Sequence, residues 1–176
     1  MKELNRRAFL TLTGAAVAMM ALAACGEPAA PPAAPTNGEE AKVLEALNKY
    51  RAAAGVKEPL TMDDGLKPAA ELMVKLAKGD MKYDDEAMEA LDKAYTHYNG
   101  FHTPIGVRMD NDDETRVLPV CVYSEDVELM AQKLPLQVDE NGQNNLKSPA
   151  VKLVSIQIFE YDGVKYWIAV IADSKK

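Results

Sequence analysis

The chain of 176 residues has few of the side chains that most often carry chemistry: two cysteines, two histidines and one tryptophan. It contains no Gly-x-Ser-x-Gly, no glycine-rich phosphate loop and no His-Glu-x-x-His, so the usual signatures of nucleophilic, phosphate-binding and zinc-peptidase sites are missing. It is also too long for a disulfide-stapled mini-domain. With 48% apolar and 27% charged residues, it has the composition of a folded globular domain.

The uncharged run at residues 8–24 is short and rich in Ala and Gly, which argues against a transmembrane span. Lys2, Arg6 and Arg7 precede it, and Leu-Ala-Ala-Cys follows at residues 22–25, the order of a cleaved signal peptide. These four residues resemble the bacterial lipobox, whose Cys is acylated and becomes the first residue of the mature protein. We predict a signal peptide at residues 1–24, lipidation of Cys25, and an extracytoplasmic location on a bacterial membrane, at the cell surface or in the periplasm.

Residues 5–10, Asn-Arg-Arg-Ala-Phe-Leu, also resemble a twin-arginine export motif, which implies export in a folded state. A basic segment before a general secretory signal can contain Arg-Arg as well, so both export routes stay open. Residues 25–39 are rich in Pro and Ala and predict an extended, semi-rigid tether. The globular domain should then span residues 40–176.

Cleavage of the leader makes the protein strongly acidic. The leader carries three basic residues and one acidic residue, so the mature chain has 17 Lys and Arg against 26 Asp and Glu, a net charge of −9. Such a surface disfavours nucleic acid and anionic lipid headgroups as partners. The lipid on Cys25, rather than a basic patch, must hold the protein at the membrane.

Amphipathic helices are predicted in the first half of the domain. Apolar residues recur at helical spacing in two stretches, Val43, Leu47, Tyr50 and Ala54 in the first and Leu66, Ala69, Ala70, Met73 and Ala77 in the second. Gly55 and Gly79 should end these helices, and Thr61 or Asp63 should cap the second. A third helix is expected at residues 84–95 and a short one after Ser124, which we expect to cap it.

The β signal lies in the second half of the domain. Residues 117–123 predict a strand, and residues 151–159 and 164–171 predict an antiparallel hairpin around Asp162-Gly163. Residues 96–114 are interpreted as a long loop around a short segment at 105–109. Helices before and between the strands predict the α/β (α+β) class, with a small antiparallel sheet flanked by helices.

Residues at both ends of the domain carry a family resemblance. In the first stretch these are Asn48, Arg51, Gly55, Leu60, Leu66 and Ala70, and in the second, where GQNNLKSP leads into the hairpin, they are Asn145, Leu146, Pro149, Tyr166 and Trp167. In order and spacing they resemble the CAP superfamily of cysteine-rich secretory, antigen 5 and pathogenesis-related (SCP-like) proteins, especially its bacterial branch. The resemblance implies a secreted α-β-α sandwich.

The resemblance also implies a groove in which two His and two acidic residues can bind a divalent metal such as zinc, and here the chain departs from it. Gly142 stands in the place of the C-terminal groove His, and the N-terminal one would fall near Tyr83 and Asp84. No Gly-Glu-Asn motif occurs, and the family's disulfides are absent. We therefore expect no cofactor, with zinc as the alternative.

The only histidines, His97 and His102, lie in one loop sequence, YTHYNGFHTP. With Asp84 they are the candidate metal or ligand residues, since imidazole and carboxylate together suit zinc. A spacing of five residues in an irregular loop does not place the two imidazoles on one ion, so we favour the interpretation that both histidines are exposed or hydrogen-bonded loop residues.

For the acidic run at 110–114 we favour a solvated loop over a calcium site, because the spacing lacks the required Gly and distal acid. We interpret Cys121 as a small buried hydrophobe.

These observations favour a non-enzymatic, lipid-anchored binding module that presents a groove or loop surface. Its ligand would be a small apolar molecule, a cell-wall component or another protein. One alternative is a zinc-dependent hydrolase of peptides or cell-wall material that uses His97 and His102. A further alternative is an unrelated substrate-capture lipoprotein.

Overall fold

The computed structural model describes residues 38–101, 104–136 and 144–176. The predicted signal peptide, Cys25 and most of the tether lie outside the described residues, as do His102 and Gly142. The described residues fall within one compact unit.

The described residues contain four α-helices: α1 (Gly38–Ala53), α2 (Lys67–Lys78), α3 (Asp85–Tyr95) and α4 (Val127–Lys133). All four occur where the periodicity of apolar residues predicts them. Gly79 ends α2 in the left-handed conformation, with φ of 75° and its N–H directed at the carbonyls of Lys75 and Leu76.

Aspartates cap three of the helical segments at their N-termini. Asp63 accepts a hydrogen bond from the Gly65 N–H and starts a 3-10 turn, Asp64–Leu66, that leads directly into α2. Asp84 caps α3. The prediction that Ser124 caps the fourth helix is wrong: Asp126 accepts from the Leu129 N–H, and α4 begins at Val127.

The main sheet has four strands in the order β1-β5-β6-β2. Their bounds are β1 (Thr61–Met62), β2 (Tyr98–Phe101), β5 (Leu153–Tyr161) and β6 (Val164–Lys175), and a separate hairpin joins β3 (Val107–Met109) to β4 (Val117–Pro119). The predicted hairpin is confirmed, and Asp162 and Gly163 at its turn have φ of 49° and 71°, as a type I′ turn requires. The sheet is mixed rather than wholly antiparallel, because β1 joins β5 in parallel.

Two features of the strands differ from the prediction. Strand β2 lies in the stretch interpreted as a loop, where Asn99-Gly100 looks like a turn, and it pairs with the end of β6, which therefore extends beyond residue 171. Strand β4 is shorter than predicted and ends at Pro119, which has no N–H to donate; beyond it, Val122 makes an isolated bridge to Tyr166.

Helices cover both faces of the sheet. On β6, Trp167, Ala169 and Ile171 pack into the core shared with α1 and α4. The alternate residues Ile168, Val170 and Ala172 pack into a second core with α2 and α3. This alternation buries β6 on both sides and produces helix, sheet and helix layers, which confirms the predicted mixed α/β class.

Arg51 holds the irregular parts of the fold to α1. Its side chain is 1% exposed. Nη1 donates to the carbonyls of Leu146 (2.8 Å) and Ser148 (3.2 Å), and Nη2 donates to those of Glu58 and Val151, both at 2.9 Å. One guanidinium thus satisfies four carbonyl oxygens in segments that have no regular partner strand.

The change Arg51→Met should lower the free energy of unfolding by roughly 3–5 kcal/mol, because it leaves buried carbonyls without donors. Urea unfolding followed by circular dichroism measures the loss. Arg51→Lys, which keeps the charge but not the planar fork, should lie between Arg51→Met and wild type. The matched control is Arg108→Met at an exposed β3 position, with an expected change below about 0.5 kcal/mol. Equal losses in Arg51→Met and Arg108→Met would contradict this role for Arg51.

Candidate functional site

Asp84 and His97 lie at opposite ends of α3. Asp84 Oδ1 accepts the Ala87 N–H at 3.1 Å, and exposed His97 follows the last turn. The 11 residues of α3 span about 17 Å, whereas ligands of one zinc ion lie about 2 Å from it. These two residues therefore cannot ligate the same ion, and the pairing of His97 with His102 involves a residue outside the described ranges.

In the part of the chain that the structure describes, no group of three or more His, Cys, Asp or Glu residues could hold a metal ion. The acidic run at 110–114 forms the connection between β3 and β4. There Asp110 accepts the Asp112 N–H, and Asp113 accepts the N–H and hydroxyl of Thr115. These carboxylates thus stabilise the turn itself.

His97 lies instead at the edge of an open depression of about 550 Å³ between α2 and α3. Pro68, Leu72, Ala90 and Ala94 form its apolar walls. Lys75 and Lys93, together with Glu71, lie at its charged rim. The depression is open to solvent and therefore offers a mixed apolar and charged surface rather than an enclosed cavity.

A buried polar network borders this depression at Gly65. Asp63, 8% exposed, accepts the Tyr98 hydroxyl at 2.6 Å through Oδ1 and the Lys175 ammonium at 2.7 Å through Oδ2. A Cβ at residue 65 would lie 2.1 Å from the Tyr98 hydroxyl oxygen, so only glycine allows this approach. The network joins the start of α2 to β2 and to the end of β6.

The electrostatics of the network favour a charged Asp63. Burial opposes ionisation, but the hydrogen bonds from Lys175 and Tyr98 and the positive charge of Lys175 outweigh it, so the pKa of Asp63 lies below its usual value. Burial, reinforced by Asp63, raises the pKa of Tyr98, which keeps its hydroxyl proton and donates it to the carboxylate. Both carboxylate oxygens are thus engaged by donors.

The polar residues of the N-terminal motif serve the scaffold. Asn48 makes two hydrogen bonds with the main chain of Leu60, accepting its N–H at 2.7 Å and donating to its carbonyl at 3.2 Å. Arg51 binds carbonyls as described above. Neither side chain is directed into the depression between α2 and α3.

Cys121 lies in the core beneath α1 and α4, and burial raises the pKa of its thiol to about 12. The interpretation of Cys121 as a buried hydrophobe is confirmed. At neutral pH it remains a protonated thiol with little access to reagents.

Within residues 38–101, 104–136 and 144–176, no helix combines the length and apolarity needed to cross a bilayer.

Sequence reasoning found Asp63 as a helix cap but missed its link to Tyr98 and Lys175. No sequence pattern predicts this contact, because Asp63 and Tyr98 are 35 residues apart in the chain. Only the pairing of β2 with β6 brings Tyr98 and Lys175 together, and their register places them directly opposite each other.

The change Asp63→Asn should destabilise the protein at pH 7 by about 1–3 kcal/mol, since it removes the ion pair with Lys175. Because the folded-state pKa is depressed, the stability from Asp63 is present above its unfolded value of about 3.9 and is lost as pH falls through the folded pKa. The stability difference between wild type and Asp63→Asn should therefore shrink below about pH 4. Urea titrations between pH 7 and pH 2 measure it.

Asp64→Asn is the matched control, since Asp64 is adjacent but exposed. At pH 7 its free energy of unfolding should lie within about 0.5 kcal/mol of that of wild type. A difference between wild type and Asp63→Asn that stays constant down to pH 2 would contradict the assignment.

Comparison with known proteins adds no assignment to this geometry: no family model, no curated protein and no solved structure matches the chain.

Proposed function

We propose that the chain is an exported, lipid-anchored binding module of CAP type that acts without catalysis. The CAP resemblance rests on two stretches about 95 residues apart in sequence, and Arg51 of the first donates to the carbonyl of Leu146 in the second over 2.8 Å. Contact between the two stretches supports their origin in one motif, as does the burial of Leu66, Leu146 and Trp167.

The depression between α2 and α3 carries the binding assignment. Its apolar walls offer surface to a small apolar ligand, and Lys75 and His97 at its edge favour a ligand with a negatively charged end. Lys93 is paired with Glu89 at 2.7 Å. The neighbouring carboxylate of Asp63 has its oxygens occupied by Tyr98, Lys175 and the Gly65 N–H. A base needs a free lone pair facing the substrate, so Asp63 is better suited to fixing the wall of the depression than to proton transfer.

The proposal predicts that an apolar anionic probe, 1-anilinonaphthalene-8-sulfonate, binds the native protein and that Leu72→Glu weakens binding by about tenfold or more. The substitution places a charge on an apolar wall and repels the sulfonate. Fluorescence titration measures the affinity, with circular dichroism to verify folding. Leu129→Glu is the matched control, because Leu129 is 41% exposed on α4, on the other side of the sheet. Equal affinities in both variants would contradict a site between α2 and α3.

Two further measurements, of zinc affinity and of substrate turnover, distinguish a zinc hydrolase from a binding module that acts without catalysis. Zinc binding by the apo protein should be no tighter than binding by the His97→Ala, His102→Ala double variant, and peptides and peptidoglycan fragments should remain intact. Zinc affinity lost in the double variant, together with turnover that the same variant lacks, would replace the binding module by the hydrolase.

Export and anchoring have their own test in the expressing cell. Cys25→Ala should leave an unlipidated precursor, because the acylated residue and the cleavage site are lost together. Mass spectrometry of the membrane fraction measures the lipid. Cys121→Ala is the matched control, since it removes the buried cysteine and should leave lipidation unchanged. Mature, membrane-retained Cys25→Ala protein would contradict the lipobox assignment.

A further inference from the structure

An apolar and aromatic surface lies at the hairpin end of the sheet, on the face that α2 and α3 cover elsewhere. This hairpin-end patch consists of Phe159, Tyr161, Val164, Tyr166 and Val122. Phe159 is directly opposite Tyr166, which is bridged to Val122, and Tyr161 is opposite Val164, so all five side chains share one face. The rings of Phe159 and Tyr161 lie 6.2 and 6.4 Å from that of Tyr166.

The patch remains partly open to solvent. Val122 is 42% exposed and Val164 is 38% exposed, while the three aromatic side chains are half-buried. At the edge of the patch, Arg116 donates to the Tyr161 hydroxyl at 3.0 Å. Two exposed valines beside three half-buried aromatic rings form one contiguous apolar surface, and such a surface, unlike scattered apolar residues, indicates a contact surface.

The N-terminal chain enters the domain at the same end. Glu39, in the first turn of α1, pairs with Lys165 at 2.6 Å. The Lys165 side chain leaves the face of the hairpin that α1 covers, opposite to the face that carries Val164 and Tyr166. One turn later, Lys42 pairs with Glu125, which follows Val122 closely in sequence. Helix α1 therefore begins at the hairpin end of the sheet, and the 12 residues between Cys25 and Gly38 precede it in sequence. Fully extended as polyproline, they would reach about 37 Å.

We propose that in the lipid-anchored protein the hairpin-end patch docks on the surface of the bilayer that holds Cys25. The inference rests on the anchoring in the proposed function. Tyrosine suits this position because its ring is apolar and its hydroxyl is polar, the combination that is enriched at membrane interfaces. The anchor also keeps the patch within reach of the bilayer, so that even a weak affinity for the surface is effective.

Charges near the patch indicate which lipid it meets. The ammonium groups of Lys42 and Lys165 are paired with Glu125 and Glu39. Arg116, which binds the Tyr161 hydroxyl, lies 3.9 Å from the Asp110 carboxylate. Glu160 and Asp162 are exposed at the tip of the hairpin. The patch thus favours a zwitterionic surface, such as phosphatidylcholine vesicles, and added phosphatidylglycerol should weaken docking at low ionic strength.

The experiment compares two sites on one strand of the lipidated full-length protein. Val164→Cys places a thiol in the patch, and Ser174→Cys places one ten residues further along β6, exposed and about 33 Å away. Each is labelled with an environment-sensitive nitrobenzoxadiazole dye. The buried Cys121 and the acylated Cys25 should not react, and labelling of wild type measures any background.

Both proteins are reconstituted in phosphatidylcholine vesicles that carry a doxyl-lipid quencher near the headgroups. The dye at residue 164 should be blue-shifted and quenched at least about twofold more than the dye at residue 174. Adding Tyr161→Glu to Val164→Cys should remove most of that difference.

Vesicle flotation tests the lipid anchor separately from the docking of the patch. Protein that floats with the vesicles but shows equal quenching at both sites would overturn docking and leave the anchor intact; the patch would then face a wall polymer or another protein. Protein that does not float would overturn both the anchor and the docking.

Discussion

The guanidinium of Arg51 is the constraint on which the arrangement of the layers depends. The segments around Glu58 and between Leu146 and Val151 are irregular and yet lie against α1, so their carbonyls have lost water without gaining a partner strand. The planar, buried guanidinium of Arg51 donates hydrogen bonds to four of these carbonyl oxygens. Asn48, one helical turn earlier, does the same for the main chain of Leu60. Together they fix the point at which β1 joins β5, and hence the position of the sheet relative to α1.

A helix or strand could be predicted from the sequence where the residues that specify it lie close together in the chain. The helices and the β5-β6 hairpin follow from periodicity, capping residues and one turn dipeptide, all of which lie within a few residues of the structure they specify. Strand β1 has two residues and β2 has Asn-Gly at its centre, so neither has a strand signature of its own. Each forms because it pairs with the edge of a longer strand, β1 with β5 and β2 with β6. The sequence alone could not show that edge.

The candidate site illustrates the same limit. The depression needs α2 and α3 side by side, and the network at its border needs Asp63, Tyr98 and Lys175 from three distant segments. Periodicity identified the helices but not which of their exposed residues face each other. Composition drew attention to His97 because histidine is scarce, and His97 does lie at the depression, although α3 separates it from Asp84. The rarity of histidine pointed to His97, but the surroundings of His97 depend on the tertiary fold.

The two ends of β6 have different surroundings, and this asymmetry relates the proposed anchoring to the proposed binding site. At its first residues, Lys165 pairs with Glu39 in the first turn of α1. At its last residues, Lys175 binds Asp63, and the N–H of Lys176 donates to the carbonyl of His97 at the depression. The 12 residues of β6 span about 40 Å. A domain held to a bilayer at the hairpin end would therefore present the depression on its far side, where solutes can reach it. In that arrangement the length of β6 would set the distance between the membrane surface and a ligand in the depression.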